Sequence, residues 1–203
     1  MAFVNSIDWD SLQPLWVQGS GQFDDKQYIY NYGSKILASY GNNGASMDAY
    51  VKGVARQGFK IQFKPGYTWG WSTFYMANQS VVNQNSPSSG NYSNSGVNGL
   101  RFMNNSSNDL LMVHKNVNGS VTQYSNISGV EDTLITLWRD NTNVVKYKVG
   151  SNSEVTVGTF ADTFVFGATI QSPASVELIM AMNLQALKTE QMHRLGLEGK
   201  ALV

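Results

Sequence analysis

The chain has 203 residues and sets 14 basic against 14 acidic side chains, so its formal net charge is zero. No Lys/Arg cluster interrupts that balance, which argues against nucleic acid as a partner and against a basic helix lying on a membrane. Cysteine is absent, so a disulfide scaffold and thiolate metal sites are excluded, and no apolar stretch reaches transmembrane length.

Apolar residues make up 42% of the chain, enough for a proper core, while charged residues make up only 14%. The polar surface must therefore come from Asn, Ser, Gln, Thr and Gly. Such a surface has little field of its own and suits neutral, hydroxyl-rich partners or protein–protein assembly. The first six residues lack the basic start and apolar run of a signal peptide, so no secretory route is expected.

Residues 1–20 carry Trp9, Leu12, Leu15, Trp16 and Val17, with Pro14 interrupting any long helix. They read as an arm that docks through its aromatics, either on its own domain or on a neighbour. Strand patterns begin with Gln27–Tyr32 and continue with Lys35–Tyr40, which ends at the Gly41-Asn42-Asn43-Gly44 turn. Ala49–Ala55 follows. Over Gly58–Pro65, Phe59, Ile61 and Phe63 alternate with Lys60, Gln62 and Lys64, the signature of a half-buried antiparallel strand.

Thr68–Met76 is an aromatic strand candidate, and residues 78–99 read as a long polar loop. Leu100–Met103 and Asp109–His114 resume the strand pattern, and Asn118-Gly119 marks a tight hairpin turn. Thr133–Arg139, Val144–Val149, Glu154–Val157, Thr163–Phe166 and Val176–Met182 follow as short strands, with Asp140–Asn143 and Gly150–Ser153 as turns. In the last strand Val176, Leu178, Met180 and Met182 are expected on one face. Short strands at this spacing predict an all-β sandwich or barrel. Only the C-terminus reads as a helix, with Leu184, Leu187, Met192 and Leu195 on one side and Gly196 as a stop. No repeat or linker divides the chain, so one domain over 21–203 is expected after the arm.

The last third resembles the concanavalin A-like, laminin-G-like jelly rolls. Three pieces carry the likeness in order. They are the hairpin Leu137–Asn141 through Val145–Gly150, the segment Thr163–Gly167, and Val176–Met180 followed by Ala186–Leu195. The hairpin departs from the family pattern at Asn141, where Gly is usual, and at Gly150, which lacks a preceding Asn or Asp. The resemblance implies a two-sheet antiparallel jelly-roll sandwich with a short C-terminal helix closing one end or edge.

Glycanases of this fold resemble one another in a strand bearing Glu-x-Asp-x-x-Glu. No such strand occurs here, and Asp24-Asp25 and Glu131-Asp132 are adjacent pairs whose side chains diverge on extended chain. No enzyme and no cofactor are therefore expected. His114 and His193 lack a nucleophile signature and read as packing or capping residues. Asn42, Asn43 and Asp48 offer oxygen ligands of the kind Ca²⁺ takes, but without a spacing motif, and a solvated turn is the better reading.

The glycan hypothesis rests on Trp69, Trp71 and Tyr75, alternating along one strand face, with Asn78 just beyond. Sugar rings have apolar C–H faces, so sugar sites pair an aromatic with an amide or carboxylate. The same face could instead be the sandwich core. The polar, cysteine-free chain and its aromatic arm resemble bacteriophage tail, fibre and decoration proteins, among which laminin-G-like domains recur. That resemblance implies an oligomeric virion protein contacting host glycans and anchored through Trp9, Leu12, Leu15 and Trp16. The alternative is a free-standing lectin module, and a glycoside hydrolase is the third reading.

Overall fold

Parity along the strands decides which residues enter the interior. In strand β4 (Phe59–Pro65), Phe59, Ile61, Phe63 and Pro65 are buried while Lys60, Gln62 and Lys64 stay half-exposed. Strands β9 (Ile135–Arg139) and β10 (Val144–Val149) show the same alternation, as expected for sheets with one covered face. The computed structural model describes residues 16–21, 36–39, 46–55, 58–66, 72–78, 95–104, 110–171 and 174–183.

The remaining described strands are β1 (Trp16–Gly21), β2 (Ile36–Ser39), β3 (Ser46–Ala55), β5 (Thr73–Asn78), β6 (Gly99–Asn104) and β7 (Leu110–Val117). After them come β8 (Ser120–Ser128), β11 (Val155–Thr159), β12 (Phe164–Gln171) and β13 (Ala174–Asn183). They form two sheets: seven strands in the order β1-β3-β12-β5-β6-β7-β8, and six in the order β11-β10-β9-β4-β13-β2. Every recorded pairing is antiparallel. The expected all-β, two-sheet sandwich is thus the fold. The C-terminal helix expected from Leu184, Leu187, Met192 and Leu195 lies outside the described residues, as does the candidate strand Gln27–Tyr32.

Aromatic rings join the two sheets. Phe63 of β4 stacks on Phe74 of β5 with centroids 4.0 Å apart, and Phe59 meets Phe166 of β12 edge-on at 5.0 Å. Phe102 of β6 meets Tyr147 of β10 edge-on at 5.5 Å, and the Tyr147 hydroxyl lies 2.6 Å from Ser125 Oγ. Each ring pair adds about 1 kcal/mol beyond the burial of its area. A second buried cluster, Tyr75, Ala77, Val97 and Val165, leaves β5 with every residue buried.

Two expectations are refined. The stretch read as an arm over 1–20 contributes a strand, because β1 pairs with β3 at Trp16–Val51 and Val17–Tyr50. Of Val176, Leu178, Met180 and Met182, expected on one face, Val176 and Leu178 are buried. Leu178 pairs with Phe63 and Met180 with Gln62, so the β13 backbone carries one extra residue between them against β4.

Candidate functional site: a tryptophan groove on the six-stranded sheet

Of the residues singled out for glycan contact, Trp69 and Trp71 lie outside the described residues. Tyr75 is 1% exposed and Asn78 is 3% exposed. The Asn78 amide works inside the fold: Nδ2 donates to Gly96 O at 3.0 Å, and Oδ1 accepts from Asn98 N at 3.0 Å. Both residues therefore sit in the interior, the core fate left open by the sequence. The cause is the position of β5 in the middle of its sheet, with cover on both faces. Trp9, Leu12 and Leu15 lie outside the described residues, and Trp16 is placed by the backbone of β1. Asn42 and Asn43 also lie outside them, and Asp48 belongs to β3.

The outer face of the six-stranded sheet carries a different constellation. On β9, Ile135, Leu137 and Arg139 point inward, so Thr136 and Trp138 must point outward. Trp138 pairs across to Lys60 of β4 on one side and to Lys146 of β10 on the other. Thr136 pairs with Gln62 and Lys148, and its Oγ1 accepts from Gln62 Nε2 at 3.0 Å. Lys60, Thr136, Trp138, Lys148 and Glu154 line a groove of about 320 Å³. That volume lies in the range of sites for small organic ligands.

Among the described residues the groove lining carries two lysines, Lys60 and Lys148, and one glutamate, Glu154. Lys146 Nζ stands 3.5 Å from Glu154 Oε1, so the one carboxylate that lines the groove among the described residues already has an ammonium partner. Farther along the face, Lys64 Nζ reaches Asp132 Oδ1 at 3.2 Å. Lys148 has no carboxylate at salt-bridge distance among the described residues. The indole offers a flat apolar surface with one N–H donor, while the ammonium, hydroxyl and carboxylate groups offer directed hydrogen bonds. This arrangement is equipped to hold a ring with an apolar face and polar edges. Among the described residues no group of three or more His, Cys, Asp or Glu side chains could hold a metal ion.

The other titratable groups with a clear shift lie off the groove. His114 Nδ1 sits 2.8 Å from Arg101 Nη2, and burial followed by the Arg101 charge lowers its pKa. The Asp140 carboxylate accepts from Thr142 Oγ1 at 2.6 Å, Thr142 N at 2.8 Å and Val144 N at 3.1 Å. These bonds, the Thr142 hydroxyl foremost, hold its pKa below the usual carboxylate value. That Asp closes the β9–β10 turn and so fixes the strand carrying Trp138 beside the strand carrying Lys146 and Lys148.

Sequence reasoning passed over Trp138 as part of a hairpin motif. Its signal was parity: in Ile135-Thr136-Leu137-Trp138-Arg139 the aromatic falls on the polar side of the alternation and the arginine on the apolar side.

No protein-family model matches the sequence, and comparison with curated proteins gives no match. Solved structures do resemble the fold. The exoplasmic/lumenal domain of VIP36, in a form bound to Ca²⁺ and Man3GlcNAc, aligns with a TM-score of 0.53 at 11% identity, covering 84% of this chain and 85% of that one. The same domain in its Ca²⁺/Man2-bound form aligns with a TM-score of 0.52 at 11% identity over 87% and 86%. The legume lectin-like domain from Entamoeba histolytica aligns with a TM-score of 0.53 at 11% identity over 83% and 88%. The chain therefore has the fold of the legume-lectin-like, concanavalin A-like jelly rolls.

Proposed function

We propose that the protein is a glycan-binding module that holds its ligand without turning it over. The carrying observation is Trp138, half-buried at the groove with Lys60 and Lys146 paired on either side. The lectin-like fold supports the reading, since VIP36 holds a mannose-type glycan on the same architecture. Binding without turnover is supported by the lining, which among the described residues has one carboxylate, Glu154, engaged by Lys146. Glycosidases of the usual kind need two carboxyl groups across the scissile bond. A glycan array probed with the wild-type protein and with Trp138→Ala tests this. Binding that the substitution abolishes, with the circular dichroism spectrum kept, is the expected result. Release of reducing sugar from any bound polysaccharide contradicts it.

The biological setting we propose is a bacteriophage virion, with other virion proteins and further copies of this chain as partners and a host surface glycan as ligand. Its support is compositional: a cysteine-free chain with 14% charged residues and a surface of Asn, Ser, Gln, Thr and Gly. Removal of residues 1–15 leaves β1 in place and tests the anchor formed by Trp9, Leu12 and Leu15. Loss of the protein from particles, with glycan binding kept, is expected. Particles that incorporate the shortened chain normally contradict the anchor.

A further inference from the structure

We infer that the groove selects a sugar bearing a carboxylate, such as a uronic acid residue of an acidic polysaccharide. The inference rests on the glycan-binding reading and adds the class of ligand. Among the described residues the groove is lined by Lys60, Lys148 and one carboxylate, that of Glu154, which Lys146 already holds, so Lys148 stands beside Trp138 and Thr136 with no carboxylate at salt-bridge distance. The chain as a whole carries as many acids as bases, so a lysine without a carboxylate partner beside an aromatic is a local feature.

The same sheet face shows how these lysines bind. Lys146 holds the Glu154 carboxylate at 3.5 Å, and Lys64 holds that of Asp132 at 3.2 Å. Lys148 projects from the same strand face as Lys146, two residues on, and has no carboxylate partner among the described residues. It sits diagonally from Trp138, because it pairs with Thr136 while Lys146 pairs with Trp138. Diagonal neighbours on a sheet lie about 7–8 Å apart at the backbone, within reach of long side chains. A sugar ring lying on the indole thus brings a ring carboxylate to the Lys148 ammonium. Its hydroxyls meet Thr136 and Glu154, which supply a hydroxyl and a carboxylate acceptor.

A neutral sugar uses the indole and the polar rim but leaves the Lys148 ammonium without a carboxylate. A bare polyanion answers the charge but makes no use of the indole. The combination fits a sugar acid better than either.

The test compares an oligogalacturonate with its methyl ester by titration calorimetry. The pair shares ring faces and hydroxyls and differs in charge. The acid is expected to bind about tenfold more tightly than the ester at low salt, the yield of one charge-assisted hydrogen bond. The advantage should shrink as salt rises, because the groove is open to solvent. In Lys148→Gln the acid-to-ester ratio should fall towards one, and in Trp138→Ala both ligands should be lost. Equal affinity for acid and ester, with both lost in Trp138→Ala, overturns the carboxylate inference and leaves the glycan-binding reading standing. Absence of any glycan binding overturns both. Binding of inorganic polyphosphate as tight as that of the acid, undisturbed by Trp138→Ala, also overturns it, since charge alone would then be the ligand. Amide spectra of each variant separate loss of a contact from loss of the fold.

Discussion

The Arg139 guanidinium lies 4.8 Å from the centre of the Phe164 ring, inside the sandwich, with none of the residue exposed. Phe59 flanks it at 5.3 Å. Its Nη1 donates to Phe160 O at 3.0 Å and to Asp162 O at 2.6 Å. Burial lowers its pKa to about 10, opposed by the Asp162 carboxylate, so it stays charged at neutral pH. A buried charge persists only when paired and hydrogen-bonded, and here two ring faces and two carbonyls do that. The arrangement ties the end of β9, the strand of Trp138, to the turn that leads into β12.

Arg139→Ala is expected to destabilise the protein by about 3 kcal/mol or more, because it opens a cavity and leaves one buried and one part-buried carbonyl without their donor. Arg139→Lys should also destabilise it, since an ammonium lacks the planar, weakly hydrated guanidinium that lies against the Phe164 and Phe59 rings while Nη1 donates to both carbonyls. Urea unfolding followed by tryptophan fluorescence measures both.

Gly99→Ala is expected to cost on the order of 3 kcal/mol, or to prevent folding. A Cβ on Gly99 would fall 2.0 Å from the carbonyl oxygen of Met76, which is backbone of the neighbouring strand and cannot swing aside. Expression yield and thermal midpoint read this out.

At the β7–β8 hairpin, Asn118 has φ 51° and Gly119 has φ 84°. Asn118→Ala removes the short polar side chain whose local hydrogen bonding lets asparagine occupy the left-handed region and should cost about 1 kcal/mol, whereas Asn118→Gly should be close to neutral. The same comparison holds at Asn143, with φ 64°, in the β9–β10 turn. Paired urea titrations of the Ala and Gly variants give the difference directly.

His114 gives a pH dependence of known sign. Its folded pKa lies below the ordinary 6.5, so the unfolded chain binds the proton more readily. Its contribution is complete above pH 6.5 and is lost as pH falls through the folded value. Unfolding free energy measured from pH 8 downwards should decline below pH 6.5, and His114→Gln should flatten that decline. An unchanged slope in the variant contradicts the assignment.

Much of the fold was legible because one-sided burial writes itself into alternation. β4 and β10 show it, and Asn118-Gly119 marks a turn by its chemistry alone. β8, Ser120–Ser128, stayed unread: it is an edge strand of mostly Ser, Thr, Gln and Asn, with several residues exposed and little apolar pattern to detect. β5 misled for the opposite reason. Covered on both faces, it offers no alternation that separates a ledge from a core, so Tyr75 and Asn78 looked available when they are interior. Arg139 and Trp138 invert the usual preference, the charge inside and the indole outside. A reading by residue type passes over that pair, whereas strict parity along Ile135–Arg139 exposes it.

The most direct test of the glycan site is a titration of isotope-labelled protein with a soluble oligosaccharide selected on the array, followed through amide and indole resonances. The expected result is saturable shifts of the Trp138 indole and of the Lys60, Thr136, Lys148 and Glu154 amides, the residues that line the groove. Saturable binding that leaves these signals still, and instead moves those around Arg101 and His114 on the seven-stranded sheet, would contradict the groove as the site.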